Sequence, residues 1–429
     1  MKVLLVGVIF LLYATLVSGL SLSPRYRSTF AQEAPEKIGG GLLGEITDLI
    51  RTQSFYKPSA EDLKEFRECV LKKAFERYEI PKGTGLKENF VVESCFKFDR
   101  HARYETPSEY KESIRQMRGD PFYGIGIQFS LTQDGSGVFV NDIIPGGPAE
   151  KSGVLEEGDI IVAVGENINA LEPLSGKSTQ EIVNLIRGKK DTPVTLQVIR
   201  GNKKLPPVVI VRGEVVTKEV ESREVESGIG YIKITSFQSV PLVTKEVVPV
   251  LEEFARRNIG AIIVDLRRNP GGNLGVTFQF LELFSPLSFS FLLEGRDRDD
   301  KVIFRYGADG YGKYADWKIA ILVDERSASA SEIVAGVLQR WGAMVFGTET
   351  YGKGSVQTVQ SLSDGGALHF TIAHYYFEDG ETPEGVGIGP DVEVVREETA
   401  SGAAVKGVKK PDLVFEKALE YLREELGKH

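Results

Sequence analysis

The chain has 429 residues, 41% hydrophobic and 26% charged, enough for two or three folded domains. Its net charge of -9, with Lys and Arg spread throughout, excludes the basic footprint of a nucleic-acid-binding protein. Its two cysteines have no neighbouring histidine pair, which argues against a structural zinc site, and no cofactor is expected.

The opening residues, "MKVLLVGVIFLLYATLVSGL", place one lysine before an apolar run from Val3 to Val17, followed by Ser18 and Gly19. That is the layout of a signal peptide over 1–19, cleaved before Leu20. The same run nearly reaches the length of a membrane span, so an uncleaved anchor is the alternative. Either way the rest of the chain is expected outside the cytoplasm: exported, periplasmic, and membrane-associated if anchored. In such oxidising surroundings Cys69 and Cys95 become a candidate disulfide.

Residues 30–120 read as mostly helical. "AEDLKEFRECVLKKAFERY" carries Leu63, Phe66, Val70, Leu71 and Phe75 at helical spacing, and Thr106-Pro107 opens a second helix running to Met117. No chemistry is evident in this region, which is expected to be structural or to form a homo-oligomer. His101, in "FDRHARY", reads as a packing or hydrogen-bonding histidine.

From Tyr123 the pattern turns to strands: "YGIGIQFSL", the hairpin signal Asp134-Gly135, "VFVNDII", "GDIIVAVG", a helix in "STQEIVNLIRG", then "TPVTLQVIRG". Over 123–212 this order resembles a PDZ domain. The resemblance puts Gly124, Ile125, Gly126 and Ile127 in a carboxylate-binding loop, with Ile182 and Ile186 on the helix forming the other groove wall. Glycines let successive N–H groups converge on a terminal carboxylate, and the following strand offers an edge for an extended peptide.

The third region, 213–398, contains two steps of a layered α/β core, which is expected to take in part of the N-terminal region. One strand, with Ile262, Ile263, Val264 and Leu266, ends in Asn269-Pro270-Gly271-Gly272. Another ends in "SASASEIVAG", three serines on alternate positions before a helix. Ligands in such folds sit at the carboxyl ends of strands. A serine at a helix start has free N–H groups and a favourable dipole beside it, but it needs a base. The histidines are few: His101, His369, His374 and His429, none with an evident orienting carboxylate. Lys353, between Gly352 and Gly354, serves instead if burial keeps it neutral, and Gln357 is a neutral polar group that could hold its amine. A final helix is expected over 410–427.

From about Ser94 to Val394 the chain resembles the C-terminal processing peptidases, which join a PDZ domain to a Ser-Lys peptidase core. The pieces that match, in family order, are "FDRHARYETPSEY", "GIGYIKITSF", "IIVDLRRNPGG", "ILVDERSASASEIVAG", "YGKGSVQT" and "GIGPDVEV". The resemblance implies a multidomain α/β protein with a core of the ClpP/crotonase-like type. It makes Ser329 the nucleophile, Lys353 the general base and Gln357 its positioning partner. Ala330 and either Gly271 or Gly272 would hold the oxyanion, and Glu332 would stand behind the helix start. The implied partners are proteins with accessible C-termini. The competing expectation is a catalytically inactive secreted PDZ scaffold.

Overall fold

The computed structural model describes residues 41–79, 95–132, 134–177, 179–215, 219–286, 289–394 and 411–427; the expected signal segment lies outside them. Among the described residues no helix is long and apolar enough to cross a membrane.

The apolar strands of the third region are buried on both faces, as parallel strands usually are. Ile229–Ile234, Ala261–Asp265, Lys318–Val323 and Met344–Gly347 pair in parallel, in that order. Val220–Glu226 runs antiparallel at one edge, and Val392–Glu393 closes the other. Side chains alternate between two cores. Ile262, Val264, Ile321 and Val323 join the residues of the helices Val248–Arg256, Leu274–Glu282 and Ala330–Arg340. Ala261, Ile263, Ala320 and Leu322 instead meet Val414, Ala418, Leu419 and Leu422, the apolar stripe of the helix Leu413–Gly427. Because Ala261–Asp265 and Lys318–Val323 are adjacent and parallel, the turns that follow them leave from the same edge of the sheet.

A second, antiparallel sheet carries Ser355–Ser361, Ala367–Phe377, Phe289–Arg296 and Val302–Asp309. It also takes a strand from the N-terminal region. Arg103–Glu105 pairs with His369–Ala367, so a segment of the mostly helical N-terminal region contributes a strand to this sheet. Among the described residues of that region the helices are Leu42–Gln53, Ala60–Glu79 and Pro107–Arg118. The last has the expected Thr106 cap, Glu109 completing a capping box, and Gly119 at φ 66° ending it. The expected disulfide is present: Cys69, on Ala60–Glu79, is bonded to Cys95. Phe66 on the same helix stacks with Phe96 at 4.7 Å and meets Phe98 edge-on.

The PDZ-like domain is a seven-stranded sheet whose edge strand is Ile127–Leu131. Its core is built from Val138, Val140, Ile161, Val164, Val194, Leu196 and Val198. The antiparallel strands Phe122–Gly124 and Gly213–Val215 carry the chain into and out of it.

Candidate active site

The three serines of the 327–331 turn are not equivalent. Ser327 and Ser331 are buried, at 0% exposure, and Ser329 is only partly so. Ser327 Oγ donates to Leu266 O at 2.9 Å, and Ser331 Oγ donates to Asn269 O at 2.9 Å. The outer serines therefore fasten this turn to the neighbouring Asn269–Gly272 turn, as expected of turn serines. Ser329 is held at φ 56° and ψ -113°, a conformation that side chains beyond glycine seldom adopt. A strained residue at a strand-to-helix turn is also the setting of the serine in a nucleophile elbow.

Asn269, fully buried, organises the facing turn. Its Nδ2 donates to Ile234 O at 2.9 Å, and its Oδ1 accepts the Gly271 N–H at 2.9 Å. A methyl group at Gly271, φ 97°, would lie 2.9 Å from Ser329 Cβ and 2.8 Å from Ala330 N. Only glycine permits that approach. Since the Gly271 N–H is engaged, the N–H groups of Ala330 and Gly272 are the ones that carry no hydrogen bond among the described residues.

Glu332 does more than face the helix start. It is fully buried and accepts four hydrogen bonds: from Thr350 Oγ1 and Gly352 N–H at 2.6 and 2.7 Å on Oε1, and from Ser329 N–H and Lys353 N–H at 2.7 and 2.8 Å on Oε2. One carboxylate oxygen thus holds the backbones of both Ser329 and Lys353. Glycines on either side of Lys353 allow tight passage, since a methyl group at Gly354 would fall 2.7 Å from Glu384 N and one at Gly352 3.1 Å from Val386 N.

Lys353 Nζ makes no hydrogen bond or ion pair among the described residues. Burial, helped by Arg103, pushes its amine below the ordinary lysine value, against the opposing charges of Glu384, Asp99 and Glu332. Gln357 is nearby in sequence, but its amide is anchored elsewhere: Nε2 donates to Ser355 Oγ at 2.9 Å and to Thr371 Oγ1 at 3.2 Å. No hydrogen bond joins Gln357 and Lys353 among the described residues.

Sequence reasoning overlooked Asp99 in the N-terminal segment, whereas His101, read as a packing or hydrogen-bonding histidine, accepts from Arg100 Nε at 3.1 Å. Asp99 is buried against Thr371, and His101 is depressed by burial and then by the charge of Lys353. His369 and His374 are occupied differently, and His429 lies outside the described residues. His369 Nε2 lies 3.2 Å from Glu105 Oε2, a carboxylate partner that alternation along the strand could not reveal. His374 stacks on Phe55, with ring centroids 4.3 Å apart.

In the PDZ-like domain Gly126, at φ 76°, makes the turn into the edge strand. Ile125 is buried, and Ile125 O and Gly126 O are taken by Ala149 N–H and Ile144 N–H. Ile182 and Ile186, expected on the groove wall, are 0% and 4% exposed within the domain core. The helix Thr179–Ile186 uses its i, i+4 apolar pair to pack on the sheet, which leaves Val183 as a more open apolar position.

Residues 228–394 match the profile of peptidase family S41, and residues 114–199 match that of the PDZ domain. A carboxy-terminal-processing protease of Bartonella bacilliformis is 33% identical over 320 residues, covering 73% of this chain and 71% of its own. A Staphylococcus epidermidis protein named "Probable CtpA-like serine protease" is 32% identical over 299 residues, covering 69% of this chain and 58% of the relative. Among solved structures, a Bacteroides fragilis protein assigned to the S41 proteases superposes with a TM-score of 0.51 at 16% identity, over 84% of this chain and 92% of that one, a likeness of fold. The chain therefore belongs to the carboxy-terminal-processing proteases of peptidase family S41 and is a serine-type peptidase carrying a PDZ domain.

Proposed function

We propose that the protein is an exported endopeptidase that binds the C-terminal tails of proteins at its PDZ domain and cleaves them with a Ser329–Lys353 dyad. The observation that carries this reading is the shared carboxylate oxygen of Glu332, which holds the backbones of both residues, with an unpartnered lysine amine beside it. A neutral Lys353 takes the Ser329 proton as the hydroxyl oxygen attacks the scissile carbonyl. The tetrahedral oxyanion is stabilised by N–H groups at the start of the Ala330–Arg340 helix and on the facing glycine turn. Ala330 and Gly272 are the candidates, because Gly271 already serves Asn269. The lysine then gives its proton to the leaving amine, and water, deprotonated by the same lysine, releases the acyl group.

The free edge of Ile127–Leu131 suits an incoming strand, and the Gly126 turn at its start suits a terminal carboxylate. Export is supported by the N-terminal sequence and by the paired state of both cysteines.

The test is cleavage of casein, an unstructured protein, with new C-termini read by mass spectrometry. Ser329→Ala and Lys353→Ala should each lower kcat by about 10³-fold or more while keeping the wild-type melting profile. Because only the neutral lysine acts as base, kcat/KM should rise with pH along a limb centred below the ordinary lysine value of ~10.4. Retention of most activity by either folded variant would defeat the assignment.

A further inference from the structure

Asp99 is 1% exposed, and among the described residues no lysine, arginine or histidine side chain pairs with it. A buried carboxylate without an ion-pair partner is costly unless hydrogen bonds hold it. Here they come from two residues. Thr371 donates its N–H to Oδ2 at 2.7 Å and its hydroxyl to Oδ1 at 3.1 Å, and His101 N–H donates to Oδ1 at 3.0 Å. A threonine hydroxyl has one proton. With that proton committed to Asp99, Thr371 Oγ1 can only accept from its other two neighbours: the Tyr56 hydroxyl and Gln357, which offers Nε2 at 3.2 Å. The orientation of the Gln357 amide follows: Nε2 faces Thr371 and Ser355, and the carbonyl oxygen Oε1 is left for another donor.

We infer that Asp99 is a positioning residue for the peptidase: through the Thr371 hydroxyl it fixes the amide of Gln357 so that Oε1, and not Nε2, is the atom left to accept from the Lys353 amine, although no hydrogen bond joins the two in this structure. The inference rests on the proposed Ser329–Lys353 chemistry. It gives the segment Cys95–Tyr104 a role beyond packing, since that segment supplies Asp99 together with His101 and Arg103, both of which act electrically with Lys353. Besides Asp99 and Arg103 of this segment, the charged groups facing the lysine amine come from two further places: Glu332 on the Ala330–Arg340 helix and Glu384 on the loop after Phe377. Asp99, Glu384 and Glu332 favour the ammonium; burial and Arg103 oppose it.

Two separable effects are expected of Asp99→Asn. The amide relay loses its anchor, so kcat at the pH optimum falls by about tenfold to 100-fold, the scale of a small misplacement of a reacting group. A negative charge near Lys353 is also removed, so the acid limb of kcat/KM moves to lower pH. A packing role alone would lower the plateau and leave the limb in place. Thr371→Val, which removes the hydroxyl at nearly constant volume, should reproduce the loss of kcat without moving the limb, and Thr371→Ser should restore most of it.

The experiment measures pH profiles of casein cleavage for wild type, Ser329→Ala and these three variants, with thermal melting of each. A folded Asp99→Asn protein with an unmoved limb overturns the inference, as does one with wild-type kcat. If Asp99→Asn does not fold, the Thr371 pair decides, and equal kcat for Val and Ser overturns it. Cleavage that persists in Ser329→Ala removes the underlying reading instead, so the two failures are distinguishable.

Discussion

The serine half and the lysine half of the site are built in different ways. On the serine side, contacts span 61 and 62 positions and join turns that follow two adjacent parallel strands. Once Ala261–Asp265 and Lys318–Val323 pair in register, Asn269 and Ser331 are brought together with little left to arrange. On the lysine side the key contact, Thr371 N–H to Asp99, spans 272 positions and joins the N-terminal region to the second sheet. The serine half is a product of the core, and the lysine half depends on an N-terminal segment docked onto a second sheet. Glu332 is the joint between them.

The largest effect should come from breaking that joint. Glu332→Gln keeps the size of the side chain but replaces one acceptor oxygen with a donor group, so at least one of the four N–H or O–H donors directed at it is left unpaired in a buried site. A loss of about 2–4 kcal/mol in stability is expected, together with a fall in casein cleavage of about 10²-fold or more. Near-wild-type melting and activity would mean that the two halves hold their positions independently.

A change confined to the lysine half should do less. The disulfide from Cys69 to Cys95 restrains the start of the segment that carries Asp99. Replacing both cysteines with serine releases a constraint worth about 3 kcal/mol for a closed loop of this size. Activity should fall several-fold. Hydrogen exchange should quicken at 95–105 and at the paired 367–371 strand while 330–340 stays protected. Equal loss of protection in both places would show that the site unfolds as one unit and erase the distinction between halves.

The same distinction explains what could be read from the sequence. "IIVDLRRNPGG" and "ILVDERSASASEIVAG" each carry an apolar strand, a turn and a helix start within a short stretch, so their meeting at one sheet edge was legible. Lys353 was legible too, because glycines on both sides signal close backbone approach. Asp99 was not: nothing near "FDRHARY" indicates that its aspartate will be buried against a threonine so far along the chain. Glu332 was half legible. Its place in the first helical turn has a sufficient local reason, a favourable dipole, which hid the long-range one. Gln357 and the groove isoleucines show a further limit. Spacing identified the elements they occupy, but which atom faces which neighbour is settled by packing.

The smallest expected effect tests the serine half from within. Ser329 pairs an unfavourable backbone with a position where its Cβ lies close to Gly271. Such conformations cost roughly 1–3 kcal/mol in a residue with a side chain. Ser329→Ala and Ser329→Gly both lose the hydroxyl and should be equally inactive, so they differ in folding energy through Cβ alone. Glycine sacrifices about 0.5–1 kcal/mol of chain entropy but adopts φ 56° and ψ -113° freely. The balance favours Ser329→Gly by about 1 kcal/mol, measurable as a higher denaturation midpoint than Ser329→Ala. A lower midpoint for glycine would mean that the turn costs little to hold. The fixed position of Ser329 would then derive from the hydrogen bonds of Ser327, Ser331 and Glu332 with no strain to offset, and the tight contact with Gly271 would serve the approach of substrate rather than the restraint of the serine.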